Sequence, residues 1–231
     1  MSSTSDKSPS IFGVFFFAVL MALFGVLLGF VYMASFSAQA FSSQADYEAS
    51  LKDIEEPIPE PRPGDGYYIE GEVSQTRSWE PKRDLLGAPG AQTVKFTEGE
   101  INAWMSAKFR PGAAISSEDA SSILIVPGVP NVALLEAGTL YFNLPTTITA
   151  YGVKSDFTIS AHCDLGADGF QFNSVNVSSA KVPLPNLLGA KILKVLAQGY
   201  QSTEEYTILF DAFARADSVD VEGRQLVFEL R

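Results

Sequence analysis

The stretch Ser155–Leu165, SDFTISAHCDL, decides the fold. Phe157, Ile159, Ala161, Cys163 and Leu165 alternate with Asp156, Thr158, Ser160, His162 and Asp164. Successive side chains of a strand point to opposite faces, so this pattern reads as a strand with one apolar and one polar face. Gly166, Ala167, Asp168 and Gly169 then form a hairpin turn into Phe170, Phe172, Val175 and Val177. The change of parity between Phe172 and Val175 implies a bulge. Upstream, Leu140, Phe142 and Leu144 share a face, and Pro145 is expected to break that ladder. These signals are antiparallel, with core on one face and solvent on the other.

Helices flank the strands. Thr97 and Glu100 fit a capping box, and Ile101, Trp104, Met105 and Phe109 form the apolar stripe behind it. A short helix is expected over Trp79–Leu86, with Pro81 in its first turn. Another reads from Pro185 to Tyr200, with Leu184, Leu188, Ile192, Val195 and Leu196 as its apolar face. Glu204 and Glu205 follow Ser202 and Thr203 as a further helix start before Tyr206–Phe213. Tyr67–Val73 and the closing VDV and LVFEL segments read as short strands. The fold class is α+β: an antiparallel sheet packed on two or three helices, preceded by one transmembrane helix and a Pro-rich stalk.

Residues Ile11–Met33 carry no charged side chain. As a helix they span roughly 35 Å, enough for the hydrocarbon core of a bilayer. Lys7 on one side and a run of carboxylates from Asp46 on the other favour a cytoplasmic N-terminus. Ala38-Gln39-Ala40 has the form of a signal-peptidase site, but the apolar run exceeds the ~7–15 residues of a signal's hydrophobic region. An uncleaved anchor is therefore expected. The division is a cytoplasmic tail over 1–10, a transmembrane helix over 11–36, a linker over 37–66 and an extracytoplasmic domain over 67–231. Pro57, Pro59, Pro61 and Pro63 favour extended chain in the linker, read as a spacer.

The chain has 16 Lys and Arg against 27 Asp and Glu, a net charge of −11. Asp6 and Lys7 cancel before the anchor, so the acidity belongs to the outer part and disfavours nucleic acid. The single cysteine, Cys163, excludes an internal disulfide. No Walker-type loop, dinucleotide fingerprint or calcium loop is present, so no metal and no cofactor is expected. His162 is the only histidine and lies on the opposite strand face from Cys163, so the two cannot act together. A hydrolase built on His162 with Asp164 and Ser160 would lack the G-x-S-x-G elbow, and a wet strand face accounts for the same residues. No catalytic residue and no enzymatic activity are expected.

The segment Phe96-Thr97-Glu98-Gly99-Glu100-Ile101-Asn102-Ala103-Trp104 resembles a helix start that recurs in small anchored bacterial envelope proteins and in YceB-like lipoproteins. Gly99 and the transmembrane anchor, in place of a lipid-bearing cysteine, depart from that pattern. The YceB-like group is similar to the tubular lipid-binding superfamily, where a curved sheet wraps a helix around an apolar groove. The resemblance implies a lipid or other apolar ligand, and a groove lined by Trp104, Met105, Phe142, Phe157, Ile159, Phe170 and Phe172. Ordinary core packing would use the same seven residues. Lys181, Lys191 and Lys194 are the one local excess of positive charge and could meet an anionic headgroup, although a solvated helix face explains them too. The alternative function is a scaffold that binds another envelope protein through a sheet edge or the stalk.

Overall fold

The computed structural model describes residues 10–52, 66–113, 123–135, 138–166 and 169–231. It opens with α1 (Ile11–Ala34), whose N-cap Ser10 accepts from the Gly13 amide at 3.0 Å. Its apolar side chains face outward along most of its length, and it is long and apolar enough to cross a membrane. The chain continues through β1 (Gln39–Phe41), α2 (Gln44–Lys52), β2 (Tyr67–Ile69), α3 (Trp79–Gly87), β3 (Gln92–Thr97) and α4 (Glu98–Lys108). Then come β4 (Ile123–Pro127), β5 (Asn131–Leu134), β6 (Thr139–Ala150), β7 (Val153–Gly166), β8 (Gly169–Val177) and β9 (Ala180–Lys181). A π-turn over Pro185–Gly189 leads into α5 (Ala190–Ala197), followed by α6 (Glu204–Arg215), β10 (Ala216–Glu222) and β11 (Gln225–Leu230).

The expected α+β class holds. The main sheet has the order β4-β6-β7-β8-β9, with β5 also on β6 and every pairing antiparallel. The bulge falls at Asn173, because Cys163 opposes Phe172 while His162 opposes Ser174. Ala167 and Asp168 of the expected turn lie outside the described residues. A second antiparallel sheet, β10-β11-β3, lies beside it. Its core side is Val94, Phe96, Leu226 and Phe228, and Phe96 stacks on Trp104 with centroids 5.7 Å apart.

Three expectations change. Pro145 does not break the ladder, since β6 runs through it to Ala150. Proline is tolerated there because it lies across from the gap between β4, which ends opposite Thr146, and β5, which begins opposite Asn143. Only its carbonyl is needed, and that accepts from the Gly128 amide at 2.6 Å.

The polar face of β7 is not wet along its whole length. Ser160 is buried and His162 half-buried, and His162 stacks on Tyr141 at 4.7 Å. The N-terminal segment covers this face. Tyr67 stacks on Tyr47 at 3.6 Å, and Phe41, Ile69, Ala133 and Tyr141 complete a small second core.

The third change concerns the linker. The described part of 37–66 contains β1 and α2, and β1 pairs in parallel with β2, Gln39 opposite Tyr67. The two flanks of 53–65 are thus held together, so that segment cannot set a distance between α1 and the domain. Pro57, Pro59, Pro61 and Pro63 lie outside the described residues. Instead α1 runs straight into the domain. Ala34 is buried, Phe30 packs on the core, and Ser179 donates its amide to Phe36 O at 3.1 Å.

Candidate functional site

The helix start that carries the sequence resemblance is a structural clamp. β5 is bonded to β6 on one side only, and an unsatisfied strand edge is costly when buried. Glu98 and Asn102 cover that free edge. The Leu134 amide donates to Glu98 Oε2 at 2.7 Å, and the Val132 amide donates to Asn102 Oδ1 at 2.8 Å. Four helical residues rise about 6 Å and two strand residues about 6.6 Å, so an i, i+4 pair on α4 fits an i, i+2 pair on β5.

The same two side chains hold the chain after β2. Glu98 Oε1 accepts from the Glu72 amide at 2.8 Å, and Asn102 Nδ2 donates to Glu72 O and Val132 O, each at 2.8 Å. Gly99, the departure from the family pattern, has a reason. Its carbonyl accepts from the Ser74 amide at 3.0 Å, and a Cβ would stand 3.2 Å from Ser74.

Glu100 completes the capping box with Thr97 and also accepts from Lys82 Nζ at 2.5 Å. Burial alone would push its carboxyl up. The Lys82 and Thr97 donors outweigh burial and hold it below the ordinary value of 4.5. A depressed carboxyl contributes stability that is complete above the unfolded-state value and lost as pH falls through the folded one. The unfolding midpoint should therefore drop as pH is taken from about 6 to about 3, and Glu100→Gln should flatten part of that drop. Identical profiles for the two proteins would refute this.

Behind the clamp lies an apolar cavity of about 280 Å³ between the main sheet and the helices. α4 and its end supply Met105 and Phe109, β6 supplies Phe142 and Leu144, and β7 supplies Cys163. β8 gives Phe170 and Phe172, α5 gives Leu193 and Ala197, and Tyr200 with Tyr206 and Leu209 of α6 closes the wall. Glycines hold both ends of α5 close to the strands. A Cβ on Gly189 would stand 2.5 Å from Val175, and one on Gly199 would stand 2.6 Å from Pro127. Asn186 Oδ1 accepts from the Phe172 amide at 2.8 Å and fixes the π-turn over β8. Between these anchor points α5 roofs the cavity. The Cys163 thiol forms part of the wall, and burial pushes it up to about 12, so it stays protonated.

Of the seven residues expected in a groove, Met105, Phe142, Phe170 and Phe172 line this cavity. Trp104 and Ile159 are buried outside its lining, Trp104 with Nε1 donating to Glu205 Oε2 at 2.7 Å. Phe157 sits apart, beside Ser37, Thr147 and Thr158. Sequence reasoning missed the contribution of α5 and α6. The expected apolar face of α5 is partly wrong, because Leu184 and Leu188 are exposed while Leu193 faces the cavity. The π-turn is the cause: it inserts a wider turn and shifts the phase of the pattern.

The supposed polar cluster is also divided. Asp164 Oδ2 accepts from Asn173 at 3.0 Å, Ser160 is buried, and the His162 ring lies on Tyr141. Burial lowers the His162 pKa against the opposing pull of Asp164. Among the described residues no group of three or more His, Cys, Asp or Glu is placed to hold a metal.

Fold and site together define an α+β domain, joined to an apolar N-terminal helix, with an apolar chamber between its sheet and its helices. No family profile matches the sequence, and no curated protein matches it.

Proposed function

We propose that this chain is a single-pass membrane protein, N-terminus in the cytoplasm, whose non-catalytic extracytoplasmic domain takes an acyl chain or another apolar ligand into the chamber. The chamber itself carries this reading. An apolar cavity of about 150 Å³ already stays dry and binds benzene. At about 280 Å³, with a wall almost wholly of carbon, this one favours hydrocarbon over water. Each methylene buried there is worth about 0.8 kcal/mol. The resemblance to YceB-like and tubular lipid-binding proteins supports the same ligand class.

The seating of α1 supports an uncleaved anchor. Cleavage after Ala40 would remove two of the three residues of β1 and the contacts of Phe36 and Ser37 with Ser179.

The test is native mass spectrometry of the full chain released from detergent micelles, compared with Ala197→Phe. Ala197 lines the chamber, so a phenyl ring there should occupy the ligand's space. The expected result is a defined apolar adduct on the wild type that is absent from the variant, with the unfolding midpoint kept or raised. A bare mass for both proteins would overturn the reading and favour a scaffold that binds an envelope protein.

A further inference from the structure

The geometry points to a second membrane contact: the segment Leu184–Lys194 lies on the anionic lipid surface of the bilayer that holds α1. Leu184, Leu187 and Leu188 stand 65%, 54% and 37% exposed at the π-turn, whereas Leu134, Leu140, Leu144 and Leu165 of the main sheet are buried and only Leu124, in β4 at its edge, is exposed among its described leucines. The turn is held in this attitude. Leu184 has a left-handed φ of 50°, Asn186 bonds the Phe172 amide, and Gly189 abuts Val175. The three leucines are thus presented outward by the fold.

Position selects the bilayer as their partner. α1 packs against β9, and Ser179, just before β9, bonds both Phe36 O and Ser37 O. Leu184 follows Lys181, the end of β9, by three residues, a reach of at most about 11 Å. The exposed leucines are therefore tied to the strand that touches the anchor.

Charge selects the lipid. The chain carries −11 overall, yet from Gly169 to Thr203 it has no Asp or Glu and has Lys181, Lys191 and Lys194. All three lysines are exposed. Apolar side chains beside lysines, in a segment free of carboxylates, match an interface of acyl chains below anionic headgroups. A lysine near such a surface changes partitioning by about five-fold. The contact rests on α1 spanning the membrane and is independent of what fills the chamber.

The test uses the full chain reconstituted in vesicles of phosphatidylcholine with phosphatidylglycerol. An environment-sensitive fluorophore is placed at Leu187→Cys or, for comparison, at Leu85→Cys, an exposed leucine of α3. The native Cys163 is buried and protonated, so labelling is confined to the new thiol. Retention in carbonate-washed vesicles first checks the anchor separately. The expected result is a blue-shifted probe at 187, quenched by nitroxide lipids, with a water-exposed probe at 85. Lys191→Glu with Lys194→Glu, or vesicles of phosphatidylcholine alone, should reduce the quenching at 187 several-fold. Persistence of the quenching in Ala197→Phe would show that it does not depend on a ligand in the chamber. Equal access of aqueous quencher to both probes would overturn the inference. So would a probe at 187 shielded from water yet untouched by nitroxide lipids, since a protein partner would then cover the leucines.

Discussion

Glu205→Ala is expected to lower the unfolding midpoint by about 10 °C. Glu205 sits at the start of α6 with its side chain 5% exposed, and three donors converge on it. Arg83 Nε and Nη2 reach its two oxygens at 3.2 and 3.0 Å, and Trp104 Nε1 donates at 2.7 Å. Alanine leaves the Trp104 donor buried without a partner and strips Arg83 of its fork. Removing one member of a buried pair costs about 3–5 kcal/mol. Arg83 is 19% exposed and also holds Glu204 at 2.8 Å, so water and that carboxylate offset part of the loss. The low end, about 3 kcal/mol, corresponds to roughly 10 °C for a chain of this size. Glu205→Gln keeps an acceptor for Trp104 and should fall about halfway between. Circular dichroism melts of the three proteins decide it, and a shift of under about 2 °C for the alanine variant would contradict the account.

Gly71→Ala should destabilise by about 3 kcal/mol or more, a large loss for one methyl group, because Gly71 is buried although its neighbours Glu70 and Glu72 are exposed. A Cβ at 71 would lie 1.9 Å from Val132 O and 2.6 Å from Asn102 Nδ2. Neither atom is free to move. The Val132 carbonyl belongs to β5, and the Asn102 amide holds that carbonyl together with Glu72 O. Gly71 also exchanges two hydrogen bonds with Asn131, at 2.8 and 2.9 Å. The methyl must therefore push the 70–74 segment off the sheet edge and leave several amides unpaired. Gly87, at the end of α3 with nothing within 4 Å of a Cβ, is the control. Gly87→Ala should be neutral or gain up to about 1 kcal/mol. Denaturant titrations of both variants measure the difference, and equal midpoints would sink the close-approach argument.

Local periodicity made much of the fold readable. Phe157–Leu165 reads as a strand with two unlike faces, and the broken parity between Phe172 and Val175 brackets the bulge that the register puts at Asn173. β3 was missed although Val94 and Phe96 alternate with Lys95 and Thr97, because the capping box beginning at Thr97 draws the eye to the helix. Glu98 and Asn102 show where reading by local pattern stops. Their partners, Leu134 and Val132, lie 36 and 30 residues away, so the local helix-start pattern carries no sign of either bond. The chamber divides in the same way. Alternation turned Phe142, Phe170 and Phe172 inward, and it was the resemblance that implied a groove there rather than a filled core. Its roof was missed because the apolar stripe was started at Leu184 and Leu188, ahead of and inside the π-turn, whereas Leu193, Leu196, Ala197 and Tyr200 follow one another at ordinary helical spacing.

With α1 as the membrane anchor proposed above, its direct junction with β9 limits how far this protein can work. A domain on a flexible tether samples a hemisphere of many tens of ångströms and can meet partners deep in the space outside the membrane. Here the last turn of α1 is already part of the core, through Phe30 and Ala34. If α1 spans a bilayer, as proposed, the domain can turn about the helix axis as α1 spins there, but it cannot rise away from the lipid. On that proposal its range of capture is one domain's height, and whatever it meets would have to come to the membrane surface.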